Sequence, residues 1–145
     1  MYERILVPTD GSELATRAFE HALDLAATYD SELHVVYAVN VTAGADVDTA
    51  MIQQELEKAG ERATETLAER ARDAGVEAVT VETVYGPPHR AILKYADEND
   101  VDLVVMGTQG RTGLNRYLLG SVTEKVVRLS DAPVLTVRGD DEDAE

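Results

Sequence analysis

Residues 101–137, VDLVVMGTQGRTGLNRYLLGSVTEKVVRLSDAPVLTV, decide the fold. Val101–Met106 is an apolar run with the length and β-branched content of a buried strand. A polar, glycine-bearing stretch, Gly107–Gly120, follows it. Ser121–Ser130 then sets Val122, Val126, Val127 and Leu129 at helical spacing, and Ala132–Val137 is a second apolar run. Strand, helix, strand in that order predicts parallel pairing, because the helix carries the chain back across the sheet.

The same alternation runs upstream. Tyr2–Pro8 contains Ile5-Leu6-Val7 and is expected to stop at Pro8, as a strand does where a donor is missing. Ser12 is placed to cap a helix from Glu13 to about Thr28, with Ala15, Ala18, Phe19, Ala22, Leu25 and Ala26 on one side. Leu33–Val39 is a second strand, and Asn40–Asp48 a polar loop. Ile52, Leu56, Ala59, Ala63, Leu67 and Ala71 mark the inward face of a long helix that ends at Gly75, a natural C′ residue. Val76–Val84 alternates as a third strand. Gly86-Pro87-Pro88 opens a helix with Ile92, Leu93 and Ala96, proline being tolerated in a first turn. The order β-α-β-α-β-α-β-α-β predicts an α/β protein, a parallel sheet with helices on both faces. Residues 1–138 form one domain in this reading, without internal repeats, and 139–145 an acidic disordered tail.

Composition excludes several functions. The chain has 145 residues, 44% of them apolar, and no cysteine, so disulfides, thiolate metal sites and cysteine nucleophiles are out. Its 28 acids against 13 lysines and arginines give a net charge of −15, the wrong sign for nucleic acid or an anionic membrane. The last seven residues, GDDEDAE, hold five of the acids, so 23 remain on the body of the protein. Only Lys58, Lys94 and Lys125 are lysines. A carboxylate-rich, lysine-poor surface suits a halophilic protein, since at ~1 M salt the Debye length falls to ~3 Å and self-repulsion is screened. No apolar run approaches the ~18 residues of a membrane span. MYERILVPTD lacks the order of a signal peptide, so the expected location is the cytoplasm.

Three segments carry candidate chemistry: Pro8-Thr9-Asp10-Gly11-Ser12 after strand 1, Gly107-Thr108-Gln109-Gly110-Arg111-Thr112-Gly113 after strand 4, and Gly120-Ser121-Val122-Thr123 at the start of the last helix. Ligands of open α/β sheets sit at the carboxyl ends of strands, where the strand order reverses. If strands 1 and 4 are neighbours, as in the order 3-2-1-4-5, all three segments face one crevice. Gly107 and Gly110 let backbone N–H groups approach an anion closely. Gly120-Ser121 offers free helix N–H groups, a dipole and a hydroxyl suited to phosphate. Asp10 repels phosphate, so it either accepts a ribose hydroxyl, acts through Mg²⁺, or simply ends a strand. Ser12 reads as a helix cap rather than a nucleophile. His21, His34 and His89 are scattered without metal-ligand spacing. A P-loop motif is absent, and Gly107…Gly110…Gly113 follows the wrong strand for a dinucleotide fingerprint. Strand 3 ends Val84-Tyr85-Gly86-Pro87, without the phospho-accepting aspartate of a receiver domain.

Taken together these segments resemble the universal stress protein family. The resemblance runs from Ile5-Leu6-Val7-Pro8-Thr9-Asp10-Gly11-Ser12 to Pro133-Val134-Leu135-Thr136-Val137. Its most specific part is Gly107-x2-Gly110-x9-Gly120-Ser121, which matches the glycine pattern of the ATP-binding branch. The resemblance implies an open five-stranded parallel sheet ordered 3-2-1-4-5, like that of the adenine nucleotide alpha hydrolases. It implies ATP with Mg²⁺ or Mn²⁺ as the bound cofactor. Pro8, Thr9 and Asp10 would line the adenosine end, Val39 would offer backbone groups to adenine, and Met106 and Gly107 would flank the nucleoside. Gln109 and Gly110 would approach the phosphates, and Gly120, Ser121, Val122 and Thr123 would complete the cradle. No residue is expected to ligate metal directly, although Asp10 can act through water. The implied partner is a second copy, paired through the strand at about Pro133–Val137, which would cover an exposed edge. The implied function is a nucleotide-dependent stress-response module without catalytic residues; a slow ATPase and a nucleotide-independent dimeric scaffold are the alternatives.

Overall fold

The computed structural model describes residues 2–40, 47–108 and 120–139. Its elements are β1 (Arg4–Thr9), α1 (Glu13–Tyr29), β2 (Glu32–Val39), α2 (Val47–Asp73), β3 (Val79–Tyr85), α3 (Pro88–Glu98), β4 (Leu103–Gly107), α4 (Ser121–Leu129) and β5 (Val134–Val137). All strands are parallel and the order is β3-β2-β1-β4-β5, as expected. Side chains alternate across the sheet. Ile5, Val7, Leu33, Val35, Leu103 and Val105 face α1 and α2, together with Phe19, Ala22 and Leu67. Leu6, Val36, Val104 and Met106 face α3 and α4, together with Ile92, Tyr95 and Val126.

Local chemistry sets the element ends. Ser12 caps α1, its Oγ accepting from the Ala15 N–H at 3.1 Å. The Asp102 carboxylate accepts from the Glu3 and Arg4 N–H groups at 2.9 and 3.1 Å and fixes where β1 begins. Past the end of α2, the Gly75 N–H donates to the Arg72 carbonyl and the Val76 N–H to the Ala71 carbonyl. That paired closure needs a left-handed residue, and Gly75 has φ +93°.

Two expectations are corrected. β1 continues through Pro8 to Thr9. The Arg4 carbonyl accepts from Asp102 at the start of β4, so even-numbered β1 residues aim their backbone polar groups at β4. β1 pairs with β4 only at Ile5 and Leu6, whereas it pairs with β2 as far as Thr9. The donor that Pro8 lacks would point where pairing has already ended, so proline costs the sheet nothing there. Ile52 is the second correction: it is 60% exposed, beside Met51 at 61%. A helix of 27 residues spans ~40 Å, and a strand of 7 only ~23 Å. Tyr85, the last residue of β3, donates to the Glu57 carboxylate at 2.8 Å, and the α2 turns before Glu57 overhang the sheet.

Candidate functional site

The divergence of β1 from β4 above Leu6 opens the sheet at its carboxyl end. A cleft of about 300 Å³ lies there, within the ~300–1,000 Å³ range of small-molecule sites. β1 and its turn contribute Pro8, Thr9 and Asp10; β4 contributes Met106 and Gly107; the start of α4 contributes Gly120, Ser121, Val122 and Thr123. Residues far apart in sequence thus meet in one place.

The β1 turn is built by its own side chains. The Thr9 Oγ1 accepts from the Gly11 N–H at 3.1 Å, and an Asp10 carboxylate oxygen accepts from the Ser12 N–H at 2.9 Å. Gly11 sits at φ +81°, a conformation that favours glycine. On the opposite wall the Thr123 Oγ1 donates to the Gly107 carbonyl at 2.7 Å, tying α4 to the end of β4. The Gly120 N–H donates to the Thr108 carbonyl, so the chain leaves β4 and enters α4 side by side. Gly120 is the extended N-cap of α4 and has no side chain with which to cap it. The first N–H groups of α4 and its positive dipole end therefore belong to the cleft, an arrangement suited to an anion.

Several residues fall differently from expectation. Val39 is buried and does not line the cleft; its carbonyl accepts from the Gly86 N–H at 3.0 Å, and its neighbour Ala38 lines the cleft instead. Gln109 and Gly110 lie outside the described residues. Ala15, Ala38, Pro88 and Ile92 complete the walls and escaped the sequence reading. The alanines leave room and Ile92 supplies apolar surface, and neither use differs in sequence from ordinary core packing. Among the described residues, no group of three or more His, Asp or Glu side chains could hold a metal ion, and no helix is long and apolar enough to cross a membrane. His34 is structural: its Nδ1 lies 2.7 Å from the Tyr95 hydroxyl in the core below the cleft.

The family model described as "Universal stress protein family" matches residues 1–138, and the chain belongs to that family. It is 37% identical to universal stress protein MJ0531 of Methanocaldococcus jannaschii, over 95% of this chain and 83% of that protein. The structure of protein MJ0577 from the same organism superposes with a TM-score of 0.83 at 32% identity, covering 97% of this chain and 98% of that one. A universal stress protein solved in complex with cAMP superposes with a TM-score of 0.78 at 29% identity, covering 96% and 99%.

Proposed function

We propose that this protein is a nucleotide-responsive stress module that holds ATP, with a divalent ion, in the cleft between β1 and α4. One observation carries the reading: the N-terminus of α4, uncapped by any side chain at Gly120, lines the same cleft as the β1 turn. The cAMP complex of a structural neighbour supports an adenine nucleotide as occupant. Adenosine would lie between Pro8, Thr9 and Met106, with Asp10 near the ribose. The phosphates would lie on Ser121, Val122 and Thr123, and the family's glycine pattern implies Gly110 as a further phosphate contact. A divalent ion would enter on the phosphates, since Mg²⁺ keeps several waters and takes few protein ligands.

A second copy would pair along Pro133–Val137. β5 is an edge strand with Leu135 38% exposed, and Val127 and Leu129 of α4 are exposed at 42% and 54%. Light scattering that returns the mass of one chain, 15.7 kDa, would overturn the dimer.

The test of nucleotide binding is thermal melting in ~2 M KCl, which also suits an acidic surface. Mg-ATP at a hundred times its Kd adds ~2.7 kcal/mol, a rise of roughly 5–10 °C for a chain of this size. Gly110→Val should remove the rise. No rise, combined with no adenine in an extract of the purified protein, overturns the reading.

A further inference from the structure

One buried group below the cleft is left incomplete. Among the described residues, the His34 Nε2 is the one buried side-chain nitrogen or oxygen without a hydrogen-bond partner. Such an atom costs stability, so its surroundings need a reason. Glu32, two residues back on the same face of β2, brings a carboxylate oxygen to 3.4 Å from that nitrogen. The other oxygen of Glu32 lies 3.5 Å from the Arg4 Nε of β1. Glu82 of β3, paired with Val36, stands on the same face of the sheet. On the far side of the ring, Nδ1 meets the Tyr95 hydroxyl of α3 at 2.7 Å.

A neutral imidazole carries one N–H. A proton on Nδ1 would leave the Nε2 lone pair facing the Glu32 carboxylate, negative against negative. A proton on Nε2 turns an N–H toward that carboxylate and leaves Nδ1 to accept from Tyr95. The carboxylate therefore favours the second form. Tyr95 suits the donor role: burial first, then Glu82 and Glu32, raise its pKa to about 12, so the phenol keeps its proton. Two rows of side chains meet at this bond. Glu32, His34, Val36 and Ala38 run up one face of β2, and Ala38 lines the cleft ~20 Å from Glu32. Pro88 and Ile92 of α3 also line the cleft, and Tyr95 follows Ile92 by one turn. His34 pairs with Leu6, the residue above which β1 and β4 part.

We propose that Glu32 and His34 are positioning residues for the α3 wall of the cleft. The carboxylate selects the Nε2–H tautomer, and the ring then accepts from Tyr95 and holds α3 at the level where the cleft opens. A half-exposed acid at the amino edge of the sheet thereby acts on a site at its carboxyl edge. The effect on binding rests on the nucleotide reading above; the effect on α3 does not.

Nitrogen-15 NMR of the full chain at mildly alkaline pH should show His34 as the Nε2–H tautomer, and a ring protonated at Nδ1 overturns the relay. Glu32→Gln removes the charge that selects the tautomer. Amide hydrogen exchange along α3 should then rise roughly threefold, and Mg-ATP affinity by calorimetry should fall by a similar factor. His34→Asn keeps an oxygen where Nδ1 stood, so Tyr95 keeps an acceptor, but it loses the nitrogen that faces Glu32. In that background Glu32→Gln should change neither quantity. If Glu32→Gln alters α3 exchange equally in both backgrounds, or in neither, the relay is overturned. If exchange responds through His34 while Mg-ATP affinity does not, Glu32 does not position the cleft wall and the proposal fails there. If the unaltered chain binds no nucleotide, the cleft reading fails, and α3 exchange still decides the relay.

Discussion

Phe19, Ala18, Ala22 and Ala26 of α1 and Leu67, Ala68 and Ala71 of α2 press on one face of the sheet. The other face meets α3 and α4 through Ile92, Tyr95, Ala96 and Val126, and buries a hydrogen bond between His34 and Tyr95. The helices differ in length as well: 17 and 27 residues against 11 and 9. The long helices meet the strands through alanines, Ala18, Ala22, Ala26, Ala68 and Ala71 all being buried, and small side chains permit a close approach. All four helices follow the carboxyl ends of strands, but α3 and α4 give the cleft Pro88, Ile92, Ser121, Val122 and Thr123, whereas α1 gives it Ala15 alone. One face is given mainly to cohesion. The other gives up some apolar packing to place polar groups and a cleft.

The comparison breaks most visibly at Phe19, which is fully buried between α1 and the sheet. Phe19→Ala should cost about 3–5 kcal/mol of stability, much of the ~5–15 kcal/mol a domain possesses. Denaturant unfolding measures the loss. Nucleotide affinity, measured by calorimetry where the variant is still folded, should be unchanged. An affinity that falls with Phe19→Ala would mean the two faces are not separable.

On the other face, Tyr95→Phe should cost about 1–3 kcal/mol near neutral pH, because it leaves a buried His34 nitrogen without its partner. That loss has a pH signature. Burial raises the Tyr95 pKa to about 12, and Glu82 and Glu32 add to the shift. The folded state keeps the phenol proton through the range from about pH 10 to about 12, where the unfolded chain loses it. The native contribution is therefore complete below the unfolded value and is lost as pH rises through the folded one. Melting curves across that range should fall more steeply for the native chain than for Tyr95→Phe. Parallel curves would show that the hydroxyl is not buried as described.

Much of this contrast was legible in the sequence. The alternation of apolar runs with helical spacings gave each element, because both periodicities are local. Ser12, Gly75 and Pro88 marked helix ends for reasons of backbone chemistry that act within a few residues. The order of the strands was not in the spacing; it came from the family resemblance, since neighbours in the sheet are set by crossovers. Ile52 was misread because helical periodicity does not record where the sheet beside the helix stops. Within the site, Thr9, Asp10, Gly107, Gly120 and Ser121 were visible as turn and cap residues at strand and helix ends. Ala15, Ala38 and Ile92 were invisible because they contribute only shape. His34 and Tyr95 stand 61 positions apart, and nothing local joins them.

The smallest effect is the sharpest test of close packing on the α1–α2 face. Gly60 lies inside α2, where glycine is worth ~1 kcal/mol less than alanine in helix stability. Propensity alone therefore predicts that Gly60→Ala stabilises. A Cβ at Gly60 would sit 2.5 Å from Cδ1 and 2.8 Å from Cγ of Tyr37. Tyr37 is only 4% exposed on β2, so its ring has little room to retreat. The Gly60 carbonyl is also engaged, accepting from the Thr64 Oγ1 at 2.9 Å. Overpacking costs about 1–3 kcal/mol, so the steric term outweighs propensity and Gly60→Ala should lose about 1 kcal/mol net. The sign depends on the ring alone. In a Tyr37→Leu background the same Gly60→Ala change should become stabilising by up to ~1 kcal/mol, a reversal that a double-mutant cycle reads directly. If Gly60→Ala stabilises the native chain, α2 stands further from β2 than the contact at Tyr37 requires, and the close-packed face is no tighter than the one that holds the cleft.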